Sequence, residues 1–179
     1  MGTDDLPLMH VWLGRPHIRR WWGPRGSYEK VVSDFLPAIE GADPTDPYVV
    51  LLEGQPIGFV QTYLLADYPD YAASVGADEG AAGVDLFVAD EGLTGQGLGG
   101  EILRGFVAQV VFGRSATTHC TADPDVRNVA SLRVFEKAGF RLVKTFFDAA
   151  DRQTHALMRL DRVTSIRGTA ACKVPTWET

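Results

Sequence analysis

The stretch Leu93-Thr94-Gly95-Gln96-Gly97-Leu98-Gly99-Gly100, followed by the apolar series Ile102, Leu103, Phe106, Val107, Val110 and Val111, constrains this chain most. That series recurs at spacings of three and four and predicts one buried helix face running to about Phe112. Glycines placed directly before a helix let backbone N–H groups converge on an anion. The helix start adds roughly half an elementary charge. A diphosphate suits such a loop without any basic side chain. Gly95, Gly97 and Gly100 also satisfy the G-x-G-x-x-G of dinucleotide-binding folds, with Asp123 about where a ribose-binding acid is sought. That reading wants the glycines after the first strand of a βαβ unit, whereas here most of a strand-rich half chain precedes them. No Gly-Lys-Ser/Thr follows, which excludes a Walker A loop. A glycine-rich turn without ligand stays as the plain alternative.

With 179 residues and 45% apolar content the chain suffices for one sizeable core. It reads as one domain over residues 1–162 and a tail, Val163–Thr179, whose lack of period predicts poor order. No apolar run approaches the ~18 residues of a membrane span. Met1-Gly2-Thr3-Asp4-Asp5 carries neither a basic region nor an apolar signal core. The expected location is the cytoplasm, with no membrane partner. Seventeen Lys and Arg against 23 Asp and Glu give a net charge of −6. That opposes a general nucleic-acid binder and favours a cationic small molecule, although solubility alone explains mild acidity. Arg15, Arg19, Arg20, Trp21, Trp22 and Arg25 form a basic-aromatic segment that reads as a solvated rim rather than a nucleic-acid patch. Cys120 and Cys172 are expected reduced, Cys120 as a small core residue. His10, His17, His119 and His155 show no ligand spacing, so no metal is expected. Both a monomer and a homodimer are compatible with the sequence.

Leu6–Leu13 reads as a first helix with Pro7 in its first turn. Ser27 reads as the cap of a second helix to about Ile39, ended by Gly41. Tyr48–Leu52 and Ile57–Leu65 are rich in strand formers, and Glu53-Gly54-Gln55-Pro56 joins them as a hairpin. Asp67–Ala82 reads as a long acidic, Gly/Ala-rich loop. Val84–Val88 is the strand that feeds the glycine loop. Thr117–Thr121 follows as a strand, Asn128–Ala138 as a helix, and Phe140–Phe147 with Thr154–Leu160 as a closing strand pair.

A second motif joins Asp123-Pro124, Asn128 and Phe135-Glu136-Lys137-Ala138-Gly139-Phe140. Together with the glycine loop, His17-Ile18, Trp21-Trp22-Gly23, Pro47-Tyr48, Gly54-Gln55-Pro56-Ile57-Gly58-Phe59, Gln61-Thr62-Tyr63 and Gly83-Val84-Asp85, it makes the chain resemble the GNAT acetyltransferases. Among these it is similar to the aminoglycoside 6′-N-acetyltransferases, from about Leu6 to Met158. The resemblance implies an α/β (α+β) fold, with a mixed, mostly antiparallel central sheet, flanking helices and a splayed strand pair at the acetyl-CoA site. It implies acetyl-CoA as cosubstrate, with the diphosphate on Thr94, Gly95, Gln96, Gly97, Leu98, Gly99 and Gly100 and the pantetheine arm against Asn128. An Asn at a helix start is equally a cap. It also implies direct transfer without an acyl-enzyme, and an oxyanion held by a backbone N–H around Phe87 and Val88, where a bulge splays the strands. One such donor is worth about 3 kcal/mol.

Two departures stand out. Relatives carry a strand of the type Leu-Arg-Pro-Leu before the Thr-x-x-Asp-Leu segment, whereas Thr3–Leu6 here follows Met1-Gly2 directly. Either the sheet is one strand short or the sequence begins after that strand. Relatives often place a Tyr just before the Glu-Lys-x-Gly-Phe turn to protonate the leaving sulfur. This chain has Phe135, which donates nothing. Water or Ser131 then serves, or the thiolate leaves unassisted, which a thiol pKa near 8.5 tolerates.

An ammonium must lose its proton before attacking a thioester, so a nearby carboxylate is the natural base. Asp85 is the first candidate, as an acid amid Val84, Leu86, Phe87 and Val88; an outward-facing strand residue is the alternative. Asp123 is the second, against the alternative of a turn or helix cap before Pro124. For a polycationic acceptor the sequence offers Trp22 as an apolar or cation–π wall, Asp70, Asp85 and Asp123, with Asp67, Asp78, Glu79, Asp148 and Asp151 nearby. The expected activity is acetyl transfer to the 6′-amine of aminoglycosides, conferring resistance. The alternatives are a GNAT acylating another amine or hydroxylamine, such as a siderophore precursor or a protein N-terminus, and a non-catalytic acyl-CoA-binding module.

Overall fold

Strands that are apolar on both sides require cover on both faces. The computed structural model, which describes residues 1–24, 26–149, 151–162 and 177–178, meets that demand with one mixed sheet. Its strands are β1 (Asp46–Leu52), β2 (Gln55–Leu64), β3 (Ala81–Val88), β4 (His119–Ala122), β5 (Arg141–Asp148), β6 (Gln153–Asp161) and the two-residue β7 (Trp177–Glu178). They lie in the order β5-β6-β4-β3-β2-β1-β7, and only β3 and β4 run parallel. Helices α1 (Leu6–Leu13), α2 (Pro16–Trp22) and α3 (Tyr28–Ile39) cover one face, where Met9, Leu13, Val31 and Phe35 meet Val49, Phe59 and Phe87. On the other face α5 (Leu98–Phe106) and α6 (Val129–Lys137) bring Ile102, Leu103, Phe106 and Phe135 against Val50, Val60, Val84 and Met158. Alternate residues of β1, β2 and β3 thus serve two separate cores.

Most expected elements are present within a few residues of their expected ends. The hairpin between β1 and β2 turns on Glu53 and Gly54, both at positive φ (51° and 77°), as a two-residue loop requires. α2 was not expected from the sequence; Pro16 starts it and Gly23, at φ 74°, ends it. The acidic loop is a correction. Asp67–Ala82 holds helix α4 (Pro69–Val75), opened by Pro69 and closed by the left-handed Gly76, while Ala81 and Ala82 already belong to β3. Apolar contacts override its loop-like composition, because Val75 packs with Leu65, Ala81 and Leu157. The helix expected to reach Phe112 is α-helical to Phe106 and continues as a π turn over Val107–Val111.

Among the described residues no strand precedes α1, and β7 pairs on the outer edge of β1 through Val49↔Glu178 and Val50↔Trp177. The rest of the tail, and Arg25 of the basic segment, lie outside the described residues. No helix among them is long and apolar enough to cross a membrane.

The functional consequence of this topology is a gap. β3 pairs with β4 only at Ala81↔His119, Ala82↔Cys120 and Gly83↔Thr121. Beyond Thr121 the chain follows β6 instead: the Ala156 N–H donates to the Pro124 carbonyl (2.9 Å) and the Val126 N–H to the Thr154 carbonyl (3.0 Å). β3 meanwhile stays with β2 as far as Gly58↔Val88. The sheet opens between them.

Candidate active site

The ladder fixes which groups of β3 face the gap. The Thr118 N–H donates to the Gly80 carbonyl on the β4 side, and the Ala89 N–H donates to the Ile57 carbonyl on the β2 side. By alternation the peptide groups of Val84, Leu86 and Val88 point to the gap, and those of Gly83, Asp85 and Phe87 to β2. The expectation of a donor around Phe87 and Val88 is corrected accordingly. The Phe87 peptide lies in the β2 ladder, and its ring packs edge-on to Trp22 (5.1 Å between centroids) in the aromatic core. Val88 and Leu86 direct amides into the gap. β3 shows no bulge against β2; the divergence comes from β4 following β6.

Asp85 projects on the α1–α3 side, opposite Gln61, whose Nε2 donates to Asp85 Oδ2 (2.9 Å). Gly83, in register with Tyr63, has to be glycine here: a Cβ would lie 2.4 Å from the Tyr63 ring. That ring therefore lies flat across the strand beside Asp85. Tyr63 meets the Tyr71 ring of α4 (6.4 Å between centroids), and the Tyr71 hydroxyl lies close enough to Asp123 to favour its carboxylate. The two aspartates, from β3 and from the turn after β4, thus converge on the gap through Gln61 and two tyrosines. Sequence reasoning assigned Gln61, Tyr63 and Tyr71 no role. Their only signal was position: two of them lie in the Gln-Thr-Tyr motif opposite Gly-Val-Asp, and the third follows Asp70.

Burial pushes the Asp85 carboxyl above the ordinary range, with the Gln61 amide pulling the other way. Burial first and the Asp85 charge second push Asp123 up to about 7, while Tyr71 and His155 act in the opposite direction. The Asp85 charge thus delays the ionisation of Asp123. Burial, together with the charges of Asp123 and Asp85, raises Tyr71, and burial raises Tyr63, so both hydroxyls keep their protons. A stability signature follows. The folded Asp123 holds its proton to about pH 7, whereas an unfolded Asp releases it near ~3.9. Its stabilising contribution is full below about pH 4 and is lost as pH rises through about 7. The melting midpoint of the ligand-free protein is expected to fall from pH 5 to pH 8. Asp123→Asn is expected to flatten that slope in calorimetry; an unaltered slope would show that another group carries it.

Two clefts meet at this pair. A cavity of about 620 Å³ runs into the gap past Val84, Leu86, Pro124, Asn128, Ser131 and Phe135. A second, of about 450 Å³, lies between α3 and α4 and is lined by Asp34, Phe35, Asp43, Tyr63, Tyr68 and Tyr71. Trp22, Gln61, Asp85 and Asp123 border both. Among the described residues the second cleft is lined by four carboxylates and by no Lys, Arg or His. Asp43 accepts from the Thr45 N–H (2.8 Å) and the Tyr68 hydroxyl (2.7 Å); burial opposes its charge, but these bonds hold its carboxyl below the ordinary range.

The expected substrate acids divide. Trp22, Asp85 and Asp123 are brought together. Asp70 is exposed in the first turn of α4 and lines neither cleft, while its neighbour Tyr71 does. Asp67 and Glu79 are exposed, and Asp78 pairs with Arg159 (2.9 Å). Asp148 and Asp151 gather with His155, three ligand-type atoms within 4.8 Å of one another, as a hydrogen-bonded cluster in which Asp151 engages His155. Of the basic segment, Arg20 stacks over Trp21 (4.8 Å) at the edge of the larger cleft.

The glycine loop suits an anion. Gly95 (φ 75°) and Gly97 (φ 90°) hold conformations that favour glycine, and the space a Cβ would take is open at both. Among the described residues no backbone carbonyl takes the N–H groups of Gln96, Gly97, Leu98 or Gly99. They lie at the N-terminus of α5, with Gly99 against Val134 of α6. Thr94 and Gln96 turn their side chains back to the Glu91 (2.7 Å) and Gly92 (2.6 Å) carbonyls, and Gly100 is buried, so main chain rather than side chains is on offer. The same α6 presents Asn128, Ser131 and Phe135 to the gap. Asn128 caps α6, accepting from the Ser131 N–H (3.1 Å), and it also lines the cleft. Phe135 is buried against Phe140 (5.1 Å).

A splayed strand pair, a main-chain anion loop and a carboxylate pair agree with what comparison with known proteins finds. The model of the acetyltransferase (GNAT) domain matches residues 2–147. The aminoglycoside N(6′)-acetyltransferase type 1 of Klebsiella pneumoniae is 33% identical over 143 residues, 78% of this chain and 71% of that protein. The crystal structure of aminoglycoside acetyltransferase AAC(6′)-Ib with coenzyme A and kanamycin superposes with a TM-score of 0.76 at 27% identity, over 90% of this chain and 92% of that one. The same enzyme with paromomycin and acetyl-CoA superposes equally, at 0.76 and 28% identity, over 90% of each chain. The gap between β3 and β4, the loop before α5 and these matches over most of the length have one common explanation: the chain belongs to the GNAT acetyltransferase family.

Proposed function

We propose that the protein transfers acetyl from acetyl-CoA to the 6′-amine of aminoglycosides, through a transferase domain over residues 1–162. The carrying observation is that Asp85 and Asp123 stand where the gap through the sheet, bordered by Val84, Leu86 and Phe135, meets a cleft that among the described residues is lined by four carboxylates and by no Lys, Arg or His. A thioester suits the first and a polyammonium acceptor the second. The named relatives, with their aminoglycoside and coenzyme A complexes, support that assignment of the two substrates.

Acetyl-CoA, when bound, supplies the activated acyl group. The backbone N–H groups at Gln96–Gly99 would hold its diphosphate, Asn128 its pantetheine arm, and the Leu86 and Val88 amides the carbonyl oxygen. Asp85 takes the proton of the 6′-ammonium, directly or through one water, and Gln61 keeps its carboxylate aimed. Asp123, oriented by Tyr71, holds the same amine from the opposite side of the gap. The C–N bond forms as the C–S bond breaks, the nitrogen releases its second surplus proton to solvent, and the thiolate takes a proton from water or through the Ser131 hydroxyl. The Trp22 face closes the cleft above them. Acetyl-CoA in the cytoplasm supports a cytoplasmic site of action, where such a reaction confers resistance.

Steady thiol release from acetyl-CoA in the presence of kanamycin, and none without an acceptor, is the expected behaviour. Thiol release with other amines but not with kanamycin would favour a different acceptor. Acetyl-CoA binding without any turnover would favour a binding module.

A further inference from the structure

The turn that opens the gap is pinned by one side chain. His155 on β6 places Nδ1 2.7 Å from the Asp123 main-chain carbonyl oxygen and Nε2 2.8 Å from Asp151 Oδ2. A carbonyl only accepts, so Nδ1 carries a proton. A carboxylate also accepts, so Nε2 carries one as well when the ring is an imidazolium. Phe146 lies parallel to the ring within 29°, at 5.7 Å between centroids, and holds its plane. His155 also forms the bridge with Asp125 that starts the departure of this segment from β3. The charged groups that face it are Asp123 and Asp125 from the turn after β4, Asp148 from β5 and Asp151 from the β5–β6 turn. Arg127, paired with Asp125 and bonded to Gln153, is the cation on the same wall.

We propose that His155, held as an imidazolium by Asp151, is a positioning residue for acetyl transfer, fixing the Asp123 main chain and setting a positive charge behind the Asp123 carboxylate. The proposal rests on the acetyl-transfer reading of the Asp85–Asp123 site. Its physical content is twofold. Burial opposes the charge on His155, but the Asp123 carbonyl and the Asp151 carboxylate outweigh it and raise the ring above its ordinary range. The imidazolium in turn draws Asp123 down, against burial and Asp85, and so enlarges the fraction of carboxylate available near neutrality.

The test is the pH profile of kcat/KM for kanamycin in the wild-type enzyme, His155→Gln and Asp151→Asn, with thermal melts as the check on folding. His155→Gln keeps a donor for the carbonyl and removes the charge. Its acid limb is expected at higher pH, with kcat/KM lower by up to about tenfold at pH 6 and within about twofold of wild type at pH 8.5, as a pKa change of about one predicts. Asp151→Asn is expected to move the limb in the same direction by less. In the wild-type protein the His155 ring protons, followed by NMR, are expected to titrate above ~6.5. Folded variants whose acid limbs coincide with wild type, or a His155 that titrates below that value, would overturn the proposal. Should His155→Gln not fold, Asp151→Asn and the NMR titration decide it. A wild-type enzyme that acetylates no aminoglycoside would refute the acetyl-transfer reading, leaving the titration to judge His155 by itself.

Discussion

Asp85→Asn is expected to reduce kcat by about 10²-fold or more while leaving acetyl-CoA affinity unchanged, since a positioned base contributes about that much. The substitution is nearly isosteric, and an Asn carbonyl still accepts from Gln61, so the local geometry has little reason to shift. What disappears is the lone pair that receives the proton. A second effect separates this outcome from a general loss of structure. The Asp85 charge raises Asp123, so in Asp85→Asn the carboxyl of Asp123 should ionise at lower pH than about 7. Residual activity with its acid limb moved down is the expected pattern. Near wild-type turnover from pH 6 to 9 would mean that solvent or another group takes the proton.

Gly97→Asp is expected to weaken acetyl-CoA binding at least about tenfold, with the fold preserved. At φ 90° an L residue is strained, yet a Cβ there meets nothing within 4 Å, so the side chain has room. It would extend a carboxylate into the region where the amides of Gln96–Gly99 converge, opposing the diphosphate they and the α5 dipole attract. Gly97→Ala carries the strain without the charge and should lose less. Calorimetric titration with acetyl-CoA separates the two, and equal losses would assign the effect to backbone strain alone.

These two residues were legible in the sequence for different reasons. The glycine loop announces itself because a run of residues without Cβ before an apolar helix face is a local pattern with few physical uses. Asp85 stood out as a charge within an apolar strand. Tyr71 did not, because nothing local distinguishes an aromatic on a short helix that composition disguised as a loop; its role exists only once Val75 and Leu65 pack α4 onto the sheet end. The acids that line the second cleft show the same division. Asp34 and Asp43 come from α3 and the segment after it, far in sequence from the acidic stretch that drew the expectation, whereas Asp70 within that stretch points to solvent. The splay was expected, but as a bulge in β3. Its cause is the pairing of Pro124 and Val126 with β6, which sequence patterning does not encode. His155 likewise looks idle in sequence, because the Asp123 carbonyl is reached only through the β4–β6 pairing.

The central claim, that the carboxylate pair receives the 6′-amine of an aminoglycoside beside a thioester, is tested most directly by the position of the new amide. Kanamycin incubated with the enzyme and acetyl-CoA is expected to gain one acetyl group by mass spectrometry, located on the 6′-nitrogen by NMR. Acetylation solely at another ring amine would keep the fold and the cosubstrate but contradict the claim, and an absence of acetylated product would contradict the aminoglycoside assignment altogether.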